Sequence, residues 1–325
     1  MKGVIGMNYR NRHLVAALNH RRWIAVANDK VLCKEHLLRH GIATPRTLAV
    51  IRYTSEFTSA YDRLVQEQTG FVVKPARSAR GRGILLASRA LPDRVLLQGD
   101  QAWPRRELGF HIMRILHGEF SFGMPIDAAL IEERIDPDHS WVLDELPGAV
   151  DLRVIVKEGR AVMAMARLPT LFSQGRANLH AGGVGVGIDL RTARTVGGIW
   201  RERPISHHPD TGQALAGRPV ADLDRCLDLA EKCYQAVPLG YMGVDILRDV
   251  RRGPMVIEVN ARPGLAIQSA NQRGLLDFLA ANPDSHHEHR SEQTPSAPAG
   301  HGPPSAGGRR PRPLVVDAPA GREPG

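Results

Sequence analysis

Hydrophobic residues recur at helical spacing in three parts of the chain. Asn28 is predicted to cap a helix that runs from Asp29 to His40. Leu108–Leu116 has the spacing of a second helix. The clearest helix begins after a predicted N-cap at Asp222, because its apolar residues repeat at intervals of three, four and seven: Leu223, Cys226, Leu227, Ala230, Cys233 and Val237.

Short apolar runs bounded by turn residues predict β-strands. They are Phe71–Lys74 and Ile84–Ala87, then two hairpins formed by Leu152–Val156 with Ala161–Arg167 and by Gly243–Leu247 with Met255–Asn260. Hairpins mixed with helices predict an α+β fold rather than a doubly wound parallel sheet. The sequence contains neither G-x-G-x-x-G after a first strand nor G-x-x-x-x-G-K-[ST], which disfavours a dinucleotide fold and a P-loop.

Composition divides the chain into three parts. Residues 28–282 carry the patterned elements, and residues 1–27 form a short basic segment before them. Residues 283–325 are rich in Pro, Gly and Ser and poor in large apolar side chains, so we predict a disordered tail. The absence of a signal-peptide pattern, of a long apolar run and of C-x-x-C spacing predicts a cytoplasmic protein with reduced thiols and no membrane span.

The charge is concentrated near the N-terminus. The chain has a formal charge of +9, and residues 1–52 hold ten basic residues against two acidic ones. Such a region could bind nucleic acid, an anionic surface or nucleotide phosphates. It lacks interleaved aromatic residues and a known nucleic-acid motif, which disfavours nucleic acid. Only six of the 43 basic residues are lysines, which indicates that lysine is kept where a compact charge is needed.

One such lysine ends a predicted strand. Lys74 and Pro75 are followed by a loop that contains Ser78, Gly81 and Gly83. The ammonium group and the backbone N–H groups of a glycine-containing loop can bind the same phosphate, although a solvated hairpin turn has a similar sequence.

The second predicted hairpin carries clustered oxygen ligands. Strand alternation places Asp245 on one face, opposite Glu258 and Asn260, while Met255, Ile257 and Val259 share the other face. Two carboxylates and an amide oxygen suit Mg²⁺ better than zinc. Arg262 follows in an E-x-N-x-R-x-G order and could stabilise a transferred phosphoryl group. The sequence therefore predicts a magnesium site, with a solvent-facing polar strand as the alternative.

A third segment could connect two lobes. Leu130–Asp136 is a short apolar strand that runs into acidic residues, as expected of a hinge whose backbone binds adenine. Further along, Asp151 and Arg153 open a strand, and residues 176–183 form a basic loop with two glycines.

Taken in order, these segments resemble an ATP-grasp ligase. They are most similar to the α-L-glutamate ligase-like family, related to enzymes that add glutamate to a ribosomal protein. The likeness spans residues 5–280 and includes Gly6–Asn8, Arg10–Arg12 and Asn28–Lys30. It implies an α+β ATP-grasp fold in which two lobes, hinged near residues 130–136, clasp ATP within residues 28–282.

The resemblance also implies residue roles. Lys30 or Lys34 matches the first nucleotide-binding lysine, with Lys30 preferred, and Lys74 matches the second. The phosphate loop matches Ser78, Gly81 and Gly83. The adenine hinge matches Glu132, Glu133 and Ile135. The polar groups around the nucleotide match Asp151, Arg153, Arg176 and Asn178. The metal ligands match Asp245, Glu258 and Asn260, and the catalytic residues match Lys74 and Arg262.

The implied activity is ATP- and Mg²⁺-dependent ligation of a carboxylate to an amine through an acyl phosphate, with glutamate as one candidate substrate. Two Mg²⁺ ions are expected, with Mn²⁺ as a possible substitute, and the substrates are small molecules or peptides. The segment before Asn28 is too short for the usual preceding domain, so a protein partner could supply the acceptor site. The alternatives are a non-catalytic ATP-binding module and a binder of anionic surfaces or nucleic acid through residues 1–52.

Overall fold

The computed structural model of the protein describes residues 2–78, 81–99, 101–121 and 125–280. Over these residues the chain forms a six-stranded and a seven-stranded sheet, both flanked by helices. All the strand pairs described are antiparallel, which confirms the α+β prediction. The predicted tail, residues 283–325, lies outside the described residues.

The six-stranded sheet forms the first lobe, in the order β1-β6-β2-β3-β4-β5. Two helices, α5 (Phe57–Glu67) and α6 (Arg105–Leu116), cover it and bury Tyr61, Leu64 and Ile112 against it. Its strands are β1 (Thr47–Ile51), β2 (Phe71–Pro75), β3 (Leu85–Ala90), β4 (Arg94–Leu97), β5 (Ala102–Pro104) and β6 (Ala129–Glu133).

The seven-stranded sheet forms the second lobe, in the order β11-β10-β9-β8-β7-β12-β13. One face packs against α7 (Leu223–Ala236), and alternate residues such as Val154 and Val244 fill the core between them. The strands are β7 (Asp151–Lys157), β8 (Arg160–Leu168), β9 (Val184–Asp189), β10 (Arg194–Trp200), β11 (Arg203–Ile205), β12 (Tyr241–Asp249) and β13 (Gly253–Asn260).

The N-terminal segment and the last described helices cover part of the opposite face. Ile5 exchanges two backbone hydrogen bonds with the Gln268 side chain, at 2.9 and 3.0 Å. Leu14 and Val15 are buried with Tyr241 in the same core cluster. The elements are α1 (Met7–Tyr9), a π-helical stretch (Arg10–Val15), α2 (Ala16–Leu18), α8 (Ala266–Ala270) and α9 (Leu275–Ala280).

Two helices lie near the N-terminus, and the second of them contacts both lobes. They are α3 (Arg21–Ala27) and α4 (Lys30–Arg39). Val31 packs against first-lobe residues, whereas Cys33 and Leu37 join the core of the second lobe. The face of α4 that carries Lys30, Cys33, Lys34 and Leu37 lines the gap between the two sheets.

Both predicted helix caps need correction. The Asp29 carboxylate caps α4 by accepting hydrogen bonds from the Val31 and Leu32 amides at 3.1 and 3.2 Å, so Asn28 ends α3 instead. Asp222 precedes α7 in a left-handed conformation and makes no side-chain cap bond. Its carboxylate instead accepts a hydrogen bond from Arg248 Nε at 2.8 Å, because the competing guanidinium is a stronger, charged donor.

The predicted hairpin of β12 and β13 contains a β-bulge. Asp245 lies opposite Glu258, as predicted, but Ile246 pairs with Val256. The extra residue, Ile257, interrupts the alternation. Val256 therefore enters the core, and Ile257 lines the gap between the lobes beside Glu258. The expectation that Ile257 shares the core face with Met255 and Val259 is wrong.

Close packing of α8 on β9 depends on Gly187. A Cβ atom there would lie 2.5 Å from the Ala270 carbonyl oxygen and 2.6 Å from the Asn271 Cα. We predict that Gly187→Ala lowers the free energy of unfolding by about 1–3 kcal/mol, because α8 must move away. Gly6→Ala is the control, since its Cβ would have no neighbour within 4 Å. Urea unfolding of the two variants compares them, and equal midpoints would contradict the packing argument.

Candidate active site

A cavity of about 300 Å³ lies between the lobes. Apolar side chains from both sheets and from the crossover segment line it, and a flat aromatic ring could be held between them: Val72, Ile84, Leu86, Ile135, Pro137, Leu247 and Ile257. At one end the lining becomes charged, with Lys30, Lys74, Glu132 and Glu258. The cavity therefore combines an apolar slot with an ionic end.

Two lysines share one buried carboxylate at the ionic end. Glu132 is 4% exposed, and its two oxygens contact Lys34 Nζ and Lys74 Nζ, the latter at 2.5 Å. Lys74 ends β2 and Glu132 lies on the adjacent strand β6, whereas Lys34 reaches in from α4. Both lysine candidates on α4 therefore reach the cavity region.

Charge neutralisation sets the ionisation of this cluster. Burial opposes ionisation of Glu132, but Lys74 and Lys34 outweigh it and hold the pKa of Glu132 below its ordinary value. Burial lowers the pKa of Lys34, although the negative charge of Glu132 favours the protonated ammonium form. A buried ammonium group with a lowered pKa is poorly solvated, so it gains much from an additional anion.

Lys30 joins the two lobes. Its Nζ donates a 2.6 Å hydrogen bond to the Ser78 carbonyl oxygen and lies 3.6 Å from Glu258 Oε1. Ser78 follows β2 of the first lobe, while Glu258 belongs to β13 of the second. The ammonium group is therefore held between the predicted phosphate loop and the predicted metal ligands.

The predicted ligand Asp245 is held by two arginines. Arg153 Nε and Nη2 bind its two oxygens at 2.7 and 2.6 Å, and Arg167 Nη2 lies 2.9 Å from Oδ2. Asn260 Nδ2 donates to Oδ2 at 3.4 Å. Burial works against the charge, yet Arg153 and Arg167 lower the pKa of Asp245 to about 2. Asp245 is therefore an ionised carboxylate in a largely satisfied network.

The residues present still suit a hard cation. A carboxylate oxygen can accept two partners, and the contacts described give Asp245 Oδ1 a single donor. Asn260 uses its Nδ2, which leaves its amide oxygen available, and Glu258 is one-third exposed. Oxygen donors of this kind match the preference of Mg²⁺.

Asp151 lies behind Asp245 rather than at the cavity wall. Its carboxylate contacts Arg167 Nε in the interior. Burial and the nearby charge of Asp245 raise the pKa of Asp151, against the attraction of Arg167. Asp151 pairs with the cavity-lining residue Leu247 but is not itself among the lining residues described, so its place among the polar groups around the nucleotide stays a prediction.

The segment that carries Arg262 is pressed onto β12. A Cβ atom on Gly243 would lie 2.7 Å from Pro263 Cβ, so glycine is needed for this approach. Arg10 Nη1 donates a 2.9 Å hydrogen bond to the Pro263 carbonyl oxygen. Arg262 itself is exposed beside this contact. The N-terminal segment therefore fixes the backbone next to the predicted catalytic arginine.

The predicted hinge runs along the cavity. Glu133 ends β6, and its carboxylate contacts the Arg46 amide at 2.8 Å and the Arg252 guanidinium. Beyond it, the Asp136 carbonyl oxygen accepts from the Val250 amide at 3.0 Å, which joins the crossover to the turn of the second hairpin. Ile135 lines the cavity, as an adenine-binding position would.

The other residues that were predicted to bind the nucleotide lie outside the described lining of the cavity. Gly81 and Gly83 have φ near +73° and +72°, which favours glycine, and residues 79 and 80 between Ser78 and this turn lie outside the described residues. Arg176 and Asn178 belong to a loop after β8, and only Gly175 of that loop is among the cavity-lining residues described. Asn178 Oδ1 caps the short helix Leu179–Ala181 by accepting from the His180 amide at 3.0 Å.

Sequence reasoning missed Arg167 and the apolar wall. Arg167 binds both Asp151 and Asp245, and an arginine at the end of an otherwise apolar strand was the available signal. Val72, Leu86 and Leu247 were assigned to strands without a role, although they line the cavity.

The fold and this cavity define an ATP-grasp protein. The chain belongs to the sugar-transfer associated ATP-grasp family, whose model matches residues 9–282. This match covers both sheets and the helices between them, and it confirms the predicted resemblance. Among the described residues, no helix is long and apolar enough to cross a membrane.

The chain is also similar to curated relatives. It is 25% identical over 268 residues to a probable alpha-L-glutamate ligase from Parasynechococcus marenigrum (strain WH8102), covering 82% of this chain and 42% of that protein. A probable alpha-L-glutamate ligase from Pasteurella multocida (strain Pm70) is 25% identical over 252 residues, covering 77% and 58%. The chain thus spans about half the length of these relatives.

Solved structures show more distant likeness. D-alanine--D-alanine ligase from Bacillus anthracis complexed with ATP has a TM-score of 0.45 and 15% identity, covering 85% of this chain and 70% of that chain. The ATP-grasp ligase PsnB, complexed with precursor peptide PsnA2 and AMPPNP, has a TM-score of 0.44 and 16% identity, covering 84% and 62%.

Arg167 offers a test of the buried network. Arg167→Met leaves Asp151 and Asp245 close together with less positive charge, so we predict a loss of about 3–5 kcal/mol in the free energy of unfolding at neutral pH. Adding Asp151→Asn removes one unpaired carboxylate and should recover part of the loss. Urea unfolding of the single and double variants measures both effects, and an undestabilised Arg167→Met would contradict the assignment.

Proposed function

We propose that the protein is an ATP- and Mg²⁺-dependent carboxylate–amine ligase that works through an acyl-phosphate intermediate. The observation that carries the proposal is the meeting of Lys30, Lys74 and Glu258 from different parts of the chain at the ionic end of one apolar cavity. Membership of the ATP-grasp family and similarity to probable alpha-L-glutamate ligases support it.

In this proposal the cavity binds ATP. The adenine ring occupies the apolar slot beside Ile135, and Lys74 binds the α- and β-phosphates. Lys74 then exchanges its contact with Glu132 for phosphate oxygens, while Lys34 keeps Glu132 neutralised. The turn with Gly81 and Gly83 covers the phosphates through its backbone N–H groups.

Glu258, Asn260 and Asp245 are the proposed ligands of Mg²⁺. The cation would neutralise charge on the β- and γ-phosphates, as divalent ions do in phosphoryl transfer. Arg153 and Arg167 hold Asp245 in place, and Lys30 orients Glu258. The proposal includes two metal ions, and Mn²⁺ is proposed to be able to replace Mg²⁺.

The chain's own contribution to the reaction is positioning and electrostatic stabilisation. A substrate carboxylate attacks the γ-phosphorus and ADP leaves. An amine then attacks the acyl phosphate, and phosphate leaves after a tetrahedral intermediate. Arg262 is exposed next to the site and is proposed to stabilise the oxyanion of that intermediate. Arg176 and Asn178 are proposed to approach the nucleotide from their loop.

The substrates are proposed to be a small-molecule or peptide carboxylate and an amine, with glutamate as one candidate. The relatives named as probable glutamate ligases support glutamate, and PsnB, which was solved with a precursor peptide, supports a peptide acceptor. A partner protein could supply part of the acceptor site. A cytoplasmic location is part of this proposal.

The proposal predicts ADP and phosphate release when amino acids are added with ATP and Mg²⁺. Lys74→Ala and Glu258→Ala should each lower this release by about 100-fold or more, because a phosphate contact or a metal ligand is lost. Coupled phosphate and ADP assays over a panel of amino acids measure the release.

Two exposed residues provide matched controls. Lys232→Ala alters a lysine on the outer side of α7, and Glu35→Ala alters a glutamate on the solvent side of α4. Both variants should keep the wild-type rate. Undiminished turnover by Glu258→Ala would refute the metal assignment, and ATP binding without turnover over a broad panel would favour a non-catalytic module.

A further inference from the structure

A buried tyrosine lies beside the proposed site with an unused hydroxyl group. Tyr241 is 0% exposed, and its hydroxyl makes no hydrogen bond within the described residues. Its backbone N–H and carbonyl oxygen are both bound by the Asn19 side chain, at 2.9 and 2.7 Å. The backbone is therefore fixed and the ring packs in a buried core cluster, while its single polar side-chain atom is left unpaired in the interior, which is costly.

The Tyr241 ring packs among apolar side chains, and two arginines, Arg10 and Arg153, act electrostatically on its hydroxyl. Tyr241, Gly243 and Asp245 share one face of β12. Arg153 Cδ lies 3.8 Å from the position that a Cβ atom on Gly243 would take. On the other side, Pro263 packs onto Gly243 and holds Arg10 through its carbonyl oxygen. Arg10 and Arg153 thus approach the tyrosine around the one residue of this face that has no side chain.

All three groups are hydrogen-bond donors. Burial raises the pKa of Tyr241 to about 12, against the attraction of Arg10 and Arg153 for its anion, so the phenol keeps its proton. The described contacts use three of the five N–H groups of Arg10 and two of those of Arg153. The remaining N–H groups and the phenol have no described acceptor, which favours an anion as their common ligand.

We propose that Tyr241, Arg10 and Arg153 form a subsite for a carboxylate of the substrate that is not the one phosphorylated. This inference rests on the proposed function, because it requires that another carboxylate of the same substrate attacks the γ-phosphorus at the ionic end of the cavity. Entry of the anion requires a side-chain movement of Arg10 or Arg153, since the hydroxyl is enclosed.

The test compares two tyrosines that are equally buried. Tyr61 is 1% exposed, but its hydroxyl donates to the Leu91 and Arg94 carbonyl oxygens at 2.7 and 3.0 Å. Tyr61→Phe should lower the thermal unfolding midpoint, because two carbonyl groups lose their donor. Tyr241→Phe should leave the midpoint unchanged or raise it, because an unpaired polar group is removed.

Ligand binding gives the second readout. Calorimetry of the full chain with Mg²⁺ and a non-hydrolysable ATP analogue is carried out with succinate, glutarate, adipate and the monocarboxylate butyrate. We expect saturable binding of at least one dicarboxylate, and much weaker binding of butyrate. Tyr241→Phe should weaken the dicarboxylate by about tenfold, the loss expected for a hydrogen bond to a charged group, whereas Tyr61→Phe should bind it as the wild type does.

Arg10→Gln should weaken the same dicarboxylate, and Arg12→Gln, two residues on and exposed, should not. Absence of dicarboxylate binding by the wild type, or equal affinities of wild type and Tyr241→Phe, would overturn the inference. Because binding is measured without turnover, a failure of phosphate release would count against the ligase proposal alone.

Discussion

The site depends on offsetting three ammonium groups that approach one cavity. Lys30, Lys34 and Lys74 would repel each other in a poorly solvated gap unless carboxylates lay among them. Glu132 binds two of them and Glu258 lies 3.6 Å from the third, so two carboxylates offset three ammonium groups and one positive charge remains. Under the proposed function, this arrangement would account for three of the chain's six lysines, because a compact ammonium group can exchange a carboxylate for a phosphate oxygen with little movement.

The two faces of the second sheet differ in the side chains that they carry. One face packs against α7 mainly through apolar side chains. The other face is apolar only where α8, α9 and the N-terminal segment cover it, and it carries Arg153, Arg167 and Asp245 where the first lobe approaches. The covering segment also holds Pro263 through Arg10, so the chain's first described residues contribute to both stability and the site.

The sequence predicted what local patterns control. Alternation in two strands was enough to place Asp245 opposite Glu258, and turn residues marked both hairpins. It could not predict the bulge that turns Ile257 into the cavity, because a bulge depends on the partner strand. The prediction of an N-cap at Asp222 was wrong because its carboxylate accepts a hydrogen bond from Arg248, which is distant in sequence. The role of Arg167 likewise needed the pairing of β7 with β8 to become visible.

The position of α4 has a mechanical consequence. Val31 packs against the first lobe, while Cys33 and Leu37, on the same short helix, pack in the core of the second. Separating the two sheets as rigid bodies would break the packing of this helix against one of the two lobes and expose apolar side chains to water. If the cavity binds ATP as proposed, nucleotide exchange should therefore proceed by small rotations about α4.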